Sequence, residues 1–138
     1  MLDSVEFERW FRSARLTLDS ARRDALCGDF NWACFKAHQA AEKALKALLW
    51  GVGRPRFGRA LSRLLEYISE LGVEVPEEVL RACRRLDRFY TPTRYPDVWC
   101  EGVPEDYYVR EDAEEAIKLA ECILSWVEGV WGRFLRRG

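Results

Sequence analysis

The stretch Asn31–Trp50, NWACFKAHQAAEKALKALLW, constrains this chain more than any other. It is rich in alanine and free of glycine and proline, so it predicts a helix. Wheeled at about 100° per residue, it divides into two sectors. Ala33, Cys34, Ala37, Ala40, Ala41, Ala44, Leu45, Leu48 and Leu49 share a broad apolar face. Trp32, Lys36, Gln39, Lys43, Lys46 and Trp50 share the opposite stripe. Small alanine side chains let neighbouring helices approach closely, so the first face predicts a bundle. The second stripe is expected to meet water, a partner chain or an anion.

The flanking segments repeat the helical signal. Phe7, Phe11, Ala14, Leu18, Ala21 and Ala25 recur at three- and four-residue steps, with Asp3 or Ser4 as a cap and Gly28 as a stop. Asp29 is placed to cap the central helix, so the link is short and the two helices run antiparallel. After the break Gly51–Pro55, a third helix is predicted from about Arg59 to Leu71. Pro76, Glu77 and Glu78 suit the start of a fourth, whose Arg81, Arg84, Arg85 and Arg88 form a basic side. Thr91–Tyr107, broken by Pro92, Pro96, Gly102 and Pro104, reads as irregular, and a long irregular stretch in a small domain is usually functional. A last helix is predicted from Arg110 to about Phe134. The fold class is therefore all-α: an antiparallel up-and-down four-helix bundle with an additional short helix.

At 138 residues, with about half of them hydrophobic, the chain reads as one domain, 1–138. A net charge of −1 gives no global field for nucleic acid. Charge is nonetheless unevenly spread: nine arginines lie within 51–100, and nine acids against two bases within 101–128. That asymmetry suits either intramolecular pairing or a bipolar surface for self-association. The five cysteines are odd in number, widely spaced and without a CxxC pair, which points to reduced thiols and a cytoplasmic location. Most are expected in the core, with Cys100 exposed. The N-terminus does not read as a signal peptide, and no run of about 18 apolar residues predicts a membrane span.

Chemistry has few candidate sites. In Thr91–Asp97, TPTRYPD, two prolines stiffen the chain around Arg94 and Tyr95, and Asp97 could pair with Arg94 or close a turn. A guanidinium held this way suits bidentate phosphate or carboxylate binding; a salt bridge stapling the loop to the bundle is the alternative. His38, the only histidine, is the sole imidazole available as a general base, yet it falls at the edge of the apolar sector, where a satisfied core ring is the plainer reading. Lys36, Gln39, Lys43 and Lys46, flanked by Trp32 and Trp50, suit an anion and a stacked base, a dimer interface or a solvated face. GVGRPRFG lacks the preceding strand and the lysine of a phosphate loop, although Arg54, Arg56 and Arg59 could attract a phosphate. One histidine and scattered cysteines give no metal-ligand spacing. Neither a metal nor a cofactor is expected.

The central NWACFKAHQAAEKALKALLW, the leucine-rich third helix and Leu86-Asp87…Tyr90-Thr91…Thr93-Arg94-Tyr95-Pro96-Asp97 together resemble the HEPN domain family over roughly Phe7–Val127. The resemblance implies a helical bundle, commonly dimeric, whose prokaryotic members often accompany a minimal nucleotidyltransferase as a toxin–antitoxin-like pair. Some members are RNases that use an arginine followed, four to six residues on, by a histidine. Here Asn31, Trp32 and Ala33 stand where that arginine would precede His38, and Arg59 follows Gly58 where many members carry histidine. The expectation is a homodimeric nucleotide- or partner-binding module rather than an enzyme. Its groove would be formed by the TRYPD loop and the polar side of the central helix: Arg94 on phosphate, Lys36 and Lys43 supplementing it, Tyr95 stacking. The alternatives are a purely structural partner subunit and a divergent metal-independent RNase pairing His38 with Arg94 or Arg59.

Overall fold

The computed structural model describes residues 1–137. Five helices follow one another: α1 (Ser4–Cys27), α2 (Phe30–Gly51), α3 (Leu61–Ser69), α4 (Glu77–Asp87) and α5 (Arg110–Arg137). Two 3₁₀ turns, Pro96–Val98 and Pro104–Asp106, interrupt the α4–α5 connection. The described residues contain no strand. The bundle is antiparallel and up-and-down, with α3 as the short extra helix. Asp3 Oδ1 accepts the Glu6 N–H at 3.0 Å and starts α1. Gly28, at φ 85°, closes α1 by donating to the Asp24 and Ala25 carbonyls. The Asp29 side chain makes no capping bond; its carbonyl alone serves α2, accepting from Ala33 N–H at 3.0 Å.

Helix α2 is the axis of the fold. It packs against α1, α3, α4 and α5, and is buried on nearly every side. Its alanines do what the sequence predicts: they let four helices close around one. At the C-terminal end the approach is tighter still. A Cβ on Gly51 would lie 2.6 Å from the Trp131 ring and 3.2 Å from Phe7, whose ring stacks on Trp131 at 4.3 Å. Gly51 is therefore required by packing, while Gly53, at φ 74°, supplies the left-handed residue of the turn that follows.

This centrality corrects one expectation. The lysine stripe of α2 is engaged by neighbouring side chains rather than left to solvent. Lys43 Nζ donates to Ser13 Oγ and Thr17 Oγ1 of α1, both at 3.0 Å. Lys36 Nζ donates to Ser20 Oγ at 2.9 Å and lies 2.8 Å from Asp24 Oδ2. Lys46 is buried against Glu42. A helical wheel assumes that a polar stripe faces water; here α1 packs along that stripe and supplies the polar partners. Trp50, from the same stripe, stacks on Trp10 of α1 at 5.8 Å, while Trp32 stays exposed.

Among the described residues no helix is long and apolar enough to cross a membrane. Cys34 and Cys83 are core residues, and burial pushes each thiol up to about 12, which leaves them unreactive. Cys100 is exposed as expected, and so is Cys27.

Candidate functional site: an arginine caged by aromatic rings

The α4–α5 connection is ordered by its own hydrogen bonds. Asn31 Nδ2, buried in the first turn of α2, donates to the Thr93 carbonyl at 3.0 Å. Thr93 Oγ1 donates to the Phe89 carbonyl at 2.7 Å, and Trp99 Nε1 to the Pro92 carbonyl at 2.8 Å. Trp99 stacks on Tyr107 at 4.0 Å. These contacts tie the loop to α2 and α4 and leave little freedom at Arg94.

Arg94 sits in a cage. Its guanidinium carbon lies 4.3 Å from the centroid of Phe35, 4.6 Å from Tyr90 and 4.8 Å from Tyr95. Nε donates to the Tyr90 carbonyl at 3.0 Å. Among the described residues no carboxylate pairs with it, and its two terminal amino groups make no hydrogen bond to the protein. The salt-bridge staple is therefore absent; aromatic faces and one backbone carbonyl hold the side chain instead. Asp97 is exposed in the first 3₁₀ turn and does not pair with Arg94.

Beneath the cage lies a buried polar cluster. Glu42, its side chain 4% exposed, accepts Lys46 Nζ at 2.9 Å and Arg59 Nη1 at 2.8 Å on one oxygen. Arg59 spans the boundary: 58% of its side chain remains accessible, and the Glu42 hydrogen bond raises its already high pKa. Tyr90 adjoins both Arg59 and Arg94. Gln39 Nε2 lies 3.2 Å from His38 Nδ1 and 3.5 Å from Glu42 Oε1.

His38 belongs to the scaffold. It is fully buried, with Nδ1 against Gln39 and Nε2 at 3.4 Å from Asp87 Oδ1. Asp87, the last residue of α4, caps α3 across the bundle. It accepts the Leu61 N–H at 2.7 Å, the Ser62 N–H at 3.2 Å and the Ser62 hydroxyl at 2.9 Å. Burial pushes this carboxyl up, but the His38 ring and those donors outweigh it and hold it below its ordinary 3.8. A general base must reach the proton it takes, and an enclosed ring between an amide and a carboxylate reaches none.

The sequence and the fold both match one family. The HEPN domain profile matches residues 7–130. The chain is a member of the HEPN domain family. Solved structures agree along nearly the whole length. TT1696 from Thermus thermophilus is 42% identical with a TM-score of 0.86, covering 89% of this chain and 96% of that one. ST0689, an archaeal HEPN homologue, is 41% identical with a TM-score of 0.75, covering 89% and 95%. An HEPN domain protein of Thermotoga maritima, TM0613, is 32% identical with a TM-score of 0.73, covering 91% and 98%. Human sacsin is 28% identical over 129 residues, which is 90% of this chain but 3% of sacsin.

Within this HEPN domain the expected site residues separate. Arg94, Tyr95, Arg59 and Gln39 gather on the α4 side of α2, with Phe35 and Tyr90 between them in the contact network. Lys36 and Lys43 face α1 and do not join them. Sequence reasoning missed Phe35, Glu42, Asn31 and Tyr90. Glu42 had a signal: a lone carboxylate bordered by Ala40, Ala41 and Ala44 demands a cationic partner. No three His, Cys, Asp or Glu side chains gather to hold a metal ion among the described residues.

Proposed function

We propose that this HEPN domain is a binding module whose Arg94 receives an anionic group, most naturally the phosphate of a nucleotide or of RNA. The observation that carries this reading is the free fork of Arg94. The rings of Phe35, Tyr90 and Tyr95 fix the guanidinium plane, and Nε is spent on a carbonyl, while both terminal amino groups remain for a ligand. Arg59, half-exposed and held by Glu42, supplements the charge. Exposed Tyr95 offers a face for a base. Lys36 and Lys43 have no part in it.

The protein would act in the cytoplasm as a homodimer, paired with a minimal nucleotidyltransferase in a toxin–antitoxin-like system. A docking role is supported by the outer face of α1, where Val5 and Leu16 stand exposed. Thermal unfolding with and without ATP, GTP and short RNA tests the ligand. A saturable rise in melting temperature that Arg94→Ala abolishes is the expected result. No shift with any of them, together with co-purification of a nucleotidyltransferase, would replace ligand binding with a partner-subunit role.

A further inference from the structure

A second basic surface lies along α4, outside the Arg94 site, and only its Arg85 is engaged with another helix among the described residues. Arg81, Arg84, Arg85 and Arg88 are all exposed. Arg85 Nε donates to Glu115 Oε1 of α5 at 2.8 Å, and among the described residues this is the one ion pair between the basic middle of the chain and its acidic late segment across this seam. Arg81, Arg84 and Arg88 form no ion pair among the described residues. Steps of three and four residues put them on one stripe, about 10 Å long at 1.5 Å per residue. They border a shallow groove of about 430 Å³ between α4 and α5, floored by Ala82 and Leu119 and edged by Glu78 and Glu115.

We propose that this groove docks an acidic helical segment of a partner protein. Carboxylates at i, i+3 and i+7 would meet the three guanidiniums, and an apolar side chain would cover Leu119. Charge complementarity selects the class of partner, since three unpaired like charges on one stripe repel one another until an anion arrives. Two features favour a peptide over a nucleic acid. No aromatic ring lines the groove to stack a base. Glu78 and Glu115 at its edges repel an unbroken phosphate backbone, whereas a peptide places carboxylates only where they are wanted. The surface is independent of the Arg94 reading.

Fluorescence anisotropy with three labelled probes tests it. One is a helical peptide of about four turns carrying glutamates on the i, i+3, i+7 stripe and a leucine beside them. The second has the same composition in scrambled order, and the third is an oligouridylate of equal charge. The matched peptide is expected to bind saturably at moderate salt, at least about tenfold more tightly than either control. Arg81→Gln/Arg84→Gln/Arg88→Gln should remove that preference with the helical circular dichroism intact, while Arg94→Ala leaves it unchanged. The single variants, each weakening binding, serve if the triple variant fails to fold. Equal binding of matched and scrambled peptides, tighter binding of the oligouridylate, or no loss in the arginine variants would overturn the proposal.

Discussion

The two flanks of α2 use cations in opposite ways. On the α1 flank, Lys36 and Lys43 are consumed by the fold: each ammonium reaches across to hydroxyls or a carboxylate of α1. On the α4 flank, Lys46 is consumed as completely by Glu42, but Arg59 is only half spent and the Arg94 fork is free. Lysine and arginine are equally charged, so charge alone does not mark a binding site. What marks it is hydrogen-bonding capacity left over once the structure has been satisfied.

The contrast can be broken at its most costly point first. Glu42→Ala removes the buried carboxylate and strands Lys46 without a partner. It should destabilise the protein by about 3–5 kcal/mol in denaturant unfolding, because an uncompensated buried charge costs more than the pair returned. A loss under about 1 kcal/mol would mean that Lys46 escapes to water and that Glu42 is not central.

Asp87→Asn comes next. It weakens the cap on α3 and should cost about 1–2 kcal/mol. The pH dependence has a definite sign. The folded carboxyl titrates below its ordinary 3.8, so its contribution is complete above that value and is lost as pH falls through the lower, folded pKa. Wild-type melting temperature should therefore drop on acidification below about pH 4, and the Asn variant should show a shallower slope. Equal acid slopes would remove Asp87 from the account.

On the quieter flank, Lys43→Met should cost about 1 kcal/mol, since two hydrogen bonds to α1 are lost while the apolar stem is kept. Ligand affinity should be untouched. A variant that lost binding without losing stability would reassign Lys43 to the site.

Much of this was legible beforehand, for physical reasons that differ by element. The helices were readable because apolar residues repeat at helical spacing, and Asp3 and Gly28 mark the ends of α1. The pairing of Lys36 and Lys43 with α1 was not read, although a signal existed. Ser13, Thr17, Ser20 and Asp24 recur on α1 at steps of four and three, a polar row matching the lysines opposite. Read together, the two rows predict a polar seam between α1 and α2. Arg94 was singled out because prolines stiffen its loop, but its cage was hidden. Phe35 lies 59 residues away in the chain, and only the fold brings it to the guanidinium, whereas Tyr90, four residues back, was within local reach. Asp87 capping a helix that precedes it by 25 and 26 residues is non-local in the same way.

The most direct test is the affinity for the nucleotide or short RNA that gives the largest thermal shift, compared among wild type, Arg94→Lys, Arg94→Ala and Lys36→Ala/Lys43→Met. Calorimetric titration should give at least about tenfold weaker binding for both Arg94 variants, because lysine restores the charge but not the planar fork. The Lys36/Lys43 variant should bind like wild type. Full affinity in Arg94→Ala, or loss confined to the Lys36/Lys43 variant, would contradict the division between a spent and an unspent flank.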